Sequence, residues 1–235
     1  MTVRTTSAGE VELAYETFGE HGDPPVLLIM GIGTQMIGWH EDFCQALAGG
    51  RYVIRFDNRD VGESQWMEGH VDLAAIGAGD TSSAVYTLED MADDAVGLLD
   101  ALGIASAHVV GASLGGMIAQ TVAIRHPQRT RSLTSIMSTT GERGVANPTE
   151  EAAAVLVSAP ARNRDEAMDR AVAARRVIGS PVVDMIDVRL RTRCGCRKAT
   201  VWAIMPPSDA PTTWADPRPS ASSNPTASSA MSSSE

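Results

Sequence analysis

The stretch that decides the fold is residues 107–116, which read AHVVGASLGG. The apolar start predicts a β-strand, and the small-residue stretch that follows, stopped by Pro127, predicts a helix. Between them, Gly-Ala-Ser-Leu-Gly has the spacing GxSxG, which is typical of a serine on a sharp turn between a strand and a helix. The pattern therefore predicts that Ser113 is a nucleophile lifted clear of a sheet.

The same turn predicts where the negative charge of a reaction intermediate would be bound. A helix beginning at Leu114 points its free amides and positive dipole end towards the serine. A second donor is expected in the glycine-bearing loop Met30-Gly31-Ile32-Gly33, which follows an apolar strand. We assign the oxyanion donors to the backbone amides of Ile32 and Leu114. A tight turn without a catalytic role is the alternative for Gly31 and Gly33.

Short apolar runs alternate with helical patterns on both sides of this turn. Strands are predicted at residues 11–17, 25–30, 52–56, 107–111 and 132–137, and helices at 39–48, 87–102 and 115–126. The first strand alternates apolar and polar residues and is expected to be half-exposed. The alternation predicts an α/β fold with a mostly parallel sheet and helices on both faces.

The character of the sequence changes beyond residue 145, which suggests three parts. Residues 1–145 are predicted to form the core, and residues 146–190 a helical cap remnant with two helices. Residues 191–235 read as an aberrant tail, and its Ser- and Pro-rich end from residue 206 predicts disorder because it offers little apolar surface to bury. The carboxyl-terminal part of the fold is therefore expected to be incomplete.

Four ordered motifs give the chain a family resemblance. They are the Gly31-Ile32-Gly33 loop after a strand, DNRDVGES at 57–64, GASLGG at 111–116 and RHPQR at 125–129. Over residues 1–180 the chain resembles the α/β-hydrolase superfamily, and most closely its aclacinomycin methylesterase-like and lipase or esterase enzymes. The resemblance implies hydrolysis of a small-molecule carboxylic ester through an acyl-enzyme on Ser113, with a His base and an Asp that orients it.

The histidine that this resemblance requires is not evident. In this fold the triad order is Ser, acid, His, so the base should follow the nucleophile by a long interval. His126 lies about 20 Å along a helix from Ser113, at 1.5 Å per residue. His40 follows the glycine loop and is the only histidine expected near the site, but a surface residue at a helix start is the better interpretation. His108 reads as a structural residue on a strand. The remaining histidines, His21 and His70, also precede Ser113.

The acid is not evident either. Asp184, Asp187 and Glu142 are candidates, but a solvated charge is the better interpretation of each, so the triad acid and base stay unassigned. A change of reading frame between about residues 179 and 200 would explain the lost motifs. The alternative function is therefore a truncated or frame-altered, inactive relative that lacks the triad Asp and His.

Composition excludes several other classes of function. The formal net charge of -10 argues against a nucleic-acid partner, because phosphate binding depends on clustered Lys and Arg. No secretory signal or membrane span is evident, so a cytoplasmic location is expected. Cys194 and Cys196 lack the second ligand pair of a zinc site and are expected to be reduced thiols. We expect no cofactor and no metal, and the oligomeric state is left open.

Overall fold

A computed structural model of the chain describes residues 2–69, 72, 75, 80–142, 149–156 and 162–179. The strands are β1 (Arg4–Ala8), β2 (Val11–Phe18), β3 (Pro25–Ile29), β4 (Tyr52–Phe56), β5 (Ala107–Ala112) and β6 (Thr130–Ile136). The α-helices are α1 (Glu41–Leu47), α2 (Leu88–Ala101), α3 (Leu114–Arg125), α4 (Glu150–Leu156) and α5 (Arg164–Ile178). None of these described helices is long and apolar enough to cross a membrane.

The strands form one sheet in the order β1-β2-β4-β3-β5-β6. The strand β2 is antiparallel to β1 and to β4, whereas β4, β3, β5 and β6 run parallel to one another. Leu27 in the central strand β3 lies opposite Ile54 on one side and Val109 on the other. The predicted α/β class with a mostly parallel sheet is confirmed.

Helices cover both faces of the sheet, as predicted. Successive side chains of a strand point to opposite faces, so Leu27 and Leu28 enter different cores. Leu27 belongs to a cluster with residues of α2 and α3, including Leu98 and Ile118. Leu28 belongs to a second cluster that includes Cys44 of α1. A strand buried on both faces is apolar throughout, which is why β3 was recognisable in the sequence.

The start of α2 shows how local sequence fixes an element. The Thr87 hydroxyl accepts a hydrogen bond from the Asp90 amide at 3.3 Å, and the Asp90 carboxylate accepts one from the Thr87 amide at 2.7 Å. This reciprocal capping box satisfies two amides that the helix leaves free. The predicted helix start at Thr87 is confirmed.

The amino-terminal strands differ from expectation in two ways. The strand β1 was not predicted, and β2 is mostly buried instead of half-exposed. Glu16 of β2 is only 1% exposed because it pairs with Arg55 of the neighbouring strand β4, and the guanidinium also donates to the Trp39 carbonyl. A buried charge is tolerated only when it is paired. The polar residue that suggested an exposed face therefore marks a buried ion pair.

The other end of the described sheet is formed by β6. Residues 131–135 of this strand are all exposed, and the apolar side chains Leu133 and Met137 are 41% and 73% exposed. Further along, α4 and α5 occupy the part of the chain predicted as a helical cap. The division into core, cap and tail stays a prediction, and residues 191–235, with Cys194 and Cys196, lie outside the described residues.

Candidate active site

Ser113 lies between β5 and α3, where the GxSxG spacing predicted it. Its backbone has φ 55° and ψ -121°, a conformation that costs a residue with a side chain about 1–3 kcal/mol. Two contacts from the end of β6 hold it there. The Ser113 amide donates to the Ile136 carbonyl at 2.9 Å, and the Ser138 hydroxyl donates to the Ser113 carbonyl at 2.7 Å. The turn is therefore fixed from the neighbouring strand as well as from within.

The glycines of the motif let backbone pack on backbone around this turn. A Cβ on Gly111 would collide with the carbonyl of Gly115. A Cβ on Gly115 would in turn collide with the carbonyl of Ile29 and lie 2.7 Å from that of Met30. Because these neighbours are backbone atoms, neither collision can be relieved by a side-chain rotation. The first turn of α3 therefore sits directly against the ends of β3 and β5.

We expect Gly115→Ala to lower the free energy of unfolding by about 1–3 kcal/mol, because α3 must move away from β3. Urea denaturation of the two proteins measures the difference. Gly49→Ala is the matched control, since a Cβ there meets only the Ala46 carbonyl at 3.6 Å and its backbone is not left-handed. Equal stability of Gly115→Ala and wild type would contradict the packing described for this turn.

The loop of residues 30–36, named here the Gly31 loop, lies beside Ser113. A Cβ placed on Gly31 would lie 3.0 Å from the Ser113 Cβ and 3.5 Å from its Oγ. Neither the Ile32 amide nor the Leu114 amide donates a hydrogen bond to an acceptor in the described part of the chain. The fold thus brings both segments assigned to the oxyanion site next to the serine, while the roles of the two amides stay a prediction.

Two consecutive residues at the end of β4 contact the Gly31 loop at its two ends. The Asn58 side-chain amide donates to the Met30 carbonyl at 3.0 Å. One Asp57 oxygen accepts from the Met36 amide at 2.6 Å, and the other accepts from the Glu63 amide at 3.1 Å. Asp57 and Asn58 are 2% and 3% exposed. These contacts were not predicted from the sequence, since they join segments 21 and 28 residues apart.

Burial raises the pKa of Asp57 from 3.8 to about 6, although the two backbone amides it accepts act in the opposite direction. A raised carboxyl pKa means that Asp57 contributes stability below about pH 4, which is lost as the pH rises through about 6. The difference of about 2 pKa units corresponds to about 3 kcal/mol.

We therefore expect the stability of wild type relative to Asp57→Asn to fall between pH 4 and pH 7, by up to about 3 kcal/mol. The variant has no titrating group at this position, so the difference between the two proteins isolates the carboxyl. Urea denaturation at four pH values in this range measures it. A difference that does not vary with pH would contradict the raised pKa of Asp57.

A second buried network fixes the rest of the loop after β4. Arg59 makes a bidentate pair with Asp94 of α2, with distances of 2.6 and 2.7 Å, and its guanidinium lies 5.0 Å from the centre of the Tyr86 ring. Burial, then a hydrogen bond to Asp60, raises the pKa of Tyr86 to about 12. Tyr86 is therefore a neutral hydrogen-bonding partner at physiological pH, and the network joins this loop to α2.

The Nε2 of His126 lies within hydrogen-bond distance of Asp93 on α2, 2.7 Å from the carboxylate. This pair borders an open groove of about 450 Å³ that is also lined by Ser7 and Arg125. It lies at the far end of α3 from Ser113, since α3 begins directly after Ser113 and ends at residue 125. The pair is not positioned to take a proton from Ser113.

The other described histidines have different partners. His40 is 56% exposed and caps α1, where its Nδ1 accepts from the Asp42 amide at 3.2 Å. In the described part of the chain, the histidine ring nitrogens have these partners: His21 the Leu102 carbonyl, His40 the residue Asp42, His108 the Ser132 hydroxyl, and His126 the residue Asp93. His70, Asp184 and Asp187 lie outside the described residues, and Glu142 is exposed. The triad acid and base therefore stay unassigned.

Comparison with known proteins shows which sequences the chain resembles. The sequence model of the family described as "alpha/beta hydrolase fold" matches residues 24–228. Two curated relatives, the rhodomycin D methylesterases of Streptomyces sp. (strain C5) and Streptomyces peucetius, are each 36% identical over 138 residues. Each match covers 58% of this chain and 42% of the relative. The chain thus spans less than half the length of these relatives.

One solved structure is similar to this chain over most of its length. A crystal structure of a hydrolase from Pseudomonas aeruginosa PA01 is 30% identical to this chain, with a TM-score of 0.53. The match covers 77% of this chain and 63% of that one.

Proposed function

Because the chain belongs to the α/β-hydrolase fold family, we propose that it is a serine hydrolase that cleaves carboxylic esters through an acyl-enzyme on Ser113. The observation that carries the proposal is the strained seat of Ser113, with the Gly31 loop beside it. Strain of this kind persists only where the surrounding structure imposes it, and it clusters at active sites. The amides of Ile32 and Leu114, which have no acceptor among the described residues, are available as donors for an oxyanion.

The proposed reaction has two steps. The Oγ of Ser113 attacks the ester carbonyl carbon, and the carbonyl oxygen becomes an oxyanion that accepts hydrogen bonds from the amides of Ile32 and Leu114. The bond to the alkoxy oxygen then breaks, and the alcohol leaves with the proton of Ser113. Water cleaves the acyl-enzyme, releases the acid and restores the serine hydroxyl. The group that relays these protons is not assigned to a residue.

The proposed substrate is a lipophilic small-molecule ester, such as the methyl ester of a polycyclic acid. The relatives whose names specify methylesterases support an ester substrate. Ile32 and Met137, which follow Gly31 and Ile136 at the two sides of Ser113, are 58% and 73% exposed. Apolar groups exposed near a nucleophile favour an apolar acyl group, because the substrate can remove their surface from water. A substrate with an amide bond in place of the ester is a variation on this proposal.

A second candidate is an inactive relative that lacks the triad Asp and His. The observation that favours it is the position of the described histidines, none of which contacts Ser113. Without a base, the serine keeps its proton and reacts slowly, because loss of a triad member costs about 10⁴-fold or more in rate. This candidate would retain the fold and the turn but show almost no turnover.

Labelling with a fluorophosphonate probe separates the two candidates. The proposed hydrolase is expected to be labelled stoichiometrically, with the adduct mapped to Ser113 by peptide mass analysis, and to hydrolyse p-nitrophenyl butyrate. The inactive relative is expected to show neither reaction while giving a cooperative unfolding transition. Folded protein without labelling or turnover would overturn the proposed hydrolase.

A further inference from the structure

We propose that Asn58, acting together with Asp57, is a positioning residue that holds the Gly31 loop at the correct distance from Ser113. The inference rests on the proposed function, because it assigns a catalytic purpose to the position of that loop. It concerns DNRDVGES, the motif at 57–64 that the reaction itself does not use. Neither residue touches a substrate in this proposal, since both act through the loop.

The sheet explains why these residues can reach the loop. The strands β3 and β4 are parallel neighbours, and Ile29 lies opposite Phe56 at their carboxyl ends. The chain therefore leaves both strands at the same edge, so that Met30 and the Asp57-Asn58 pair begin adjacent loops. A contact between the start of one loop and the start of the other follows from the order of the strands.

The contacts fix the Gly31 loop at its first carbonyl and at its last amide. Asn58 binds the Met30 carbonyl, and Asp57 binds the Met36 amide. Within the loop, the Thr34 amide donates to the Gly31 carbonyl at 3.2 Å and closes a turn. The loop is therefore held at both ends by one buried segment and is folded on itself between them. We expect these contacts to restrict its middle, where Ile32 lies.

The chemistry of Asn58 suits this purpose better than a space-filling role. Its side-chain amide supplies a donor to a carbonyl, and the residue is 3% exposed, so water cannot easily replace the bond. An oxyanion donor must lie 2.7–3.1 Å from the developing charge. A displacement of about 1 Å at a reacting centre can cost about 10²-fold in rate. Loss of one anchor of the loop is thus expected to slow the chemical step.

Two variants of Asn58 and one control test the proposal in the full chain. Asn58→Leu removes the donor, and Asn58→Asp keeps the size but offers only acceptors when ionised, so the second variant remains if the first does not fold. The control is Glu68→Gln, a change from carboxylate to amide at an exposed position. Hydrogen exchange is measured at the amides of Thr34 and Met36, with the amides of α2 reporting global stability.

We expect the amides of Thr34 and Met36 to exchange about 10-fold faster in both Asn58 variants, which corresponds to a loss of about 1.4 kcal/mol of local stability. The exchange rates of the α2 amides are expected to stay unchanged. For hydrolysis of p-nitrophenyl butyrate, kcat is expected to fall about 10- to 100-fold, while KM stays within about threefold. A residue with only a structural role would change exchange in α2 as well, or would leave kcat unaffected.

The outcomes separate this inference from the proposed function. If wild type is labelled at Ser113 but the Asn58 variants match Glu68→Gln in exchange or in kcat, the positioning role is wrong and the hydrolase stands. If wild type is not labelled, the proposed hydrolase is wrong, and the exchange rates alone then test whether Asn58 anchors the Gly31 loop. Faster exchange confined to the Gly31 loop then supports the anchoring, and unchanged or global exchange overturns it.

Discussion

Ser113→Ala is expected to abolish fluorophosphonate labelling and to lower turnover of p-nitrophenyl butyrate by about 10⁴- to 10⁶-fold. The physical reason is that, in the proposed reaction, the Oγ bonds to the acyl carbon, and an alanine offers no nucleophile. The free energy of unfolding is expected to change by less than about 1 kcal/mol. The substitution keeps the hydrogen bond from the residue 113 amide to the Ile136 carbonyl and the one from the Ser138 hydroxyl to the residue 113 carbonyl. Steady-state rates and urea denaturation measure the two quantities.

The matched control is Ser132→Ala, which removes another serine hydroxyl in the same domain. Ser132 is exposed on β6 and contacts His108 at 2.7 Å. It is expected to retain the labelling and the rate of wild type. Turnover that survives Ser113→Ala would place the reaction on a different residue, and equal loss in both variants would show that the effect is not specific to the turn.

Arg55→Met is expected to destabilise the protein by about 3–5 kcal/mol, the largest effect on folding among the changes considered. Arg55 and Glu16 are 3% and 1% exposed, and the guanidinium Nε donates to the Glu16 carboxylate at 3.0 Å. The variant leaves this carboxylate buried without the guanidinium and also removes the donor to the Trp39 carbonyl. The free energy of unfolding from urea denaturation measures the loss.

The double variant Glu16→Leu/Arg55→Met shows which part of that loss is electrostatic. Replacing both charges removes the unfavourable buried carboxylate, so the double variant is expected to be more stable than Arg55→Met alone. The surface pair of Arg125 with Asp93, whose side chains are 42% and 48% exposed, supplies the contrast. Arg125→Met is expected to cost less than about 1 kcal/mol. A double variant as unstable as the single one would contradict the electrostatic explanation.

Much of the fold could be predicted because its signals are local. The strand β3 is an uninterrupted apolar run, and α2 begins with a capping box at Thr87 and Asp90, so neither depends on distant residues. The burial of β2 was mispredicted because Glu16 reads as a solvent-facing residue until its partner on β4 is known. The alternation of polar and apolar residues cannot distinguish water from a guanidinium as the neighbour of a carboxylate.

The candidate site also has parts that local sequence predicts and parts that depend on distant residues. Ser113 was predicted because the turn that carries it is encoded in five consecutive residues. The anchoring of the Gly31 loop by Asn58 depends on which strands are neighbours in the sheet, and this order is not a property of either segment. Neither the local pattern nor the order of the strands assigns the acid and the base, and no described histidine side chain makes a hydrogen bond to Ser113. The sequence thus placed Ser113 on its turn but not the groups that would act on it.

The backbone at Ser113 has a consequence for how this chain changes over generations. A glycine would adopt the same φ and ψ without strain, whereas a serine is less stable there by about 1–3 kcal/mol. Mutational drift in a protein free of catalytic demands would favour glycine at this position, because it is among the simplest ways to gain stability. Under the proposed function, the reactivity of the serine hydroxyl is what offsets this loss of stability.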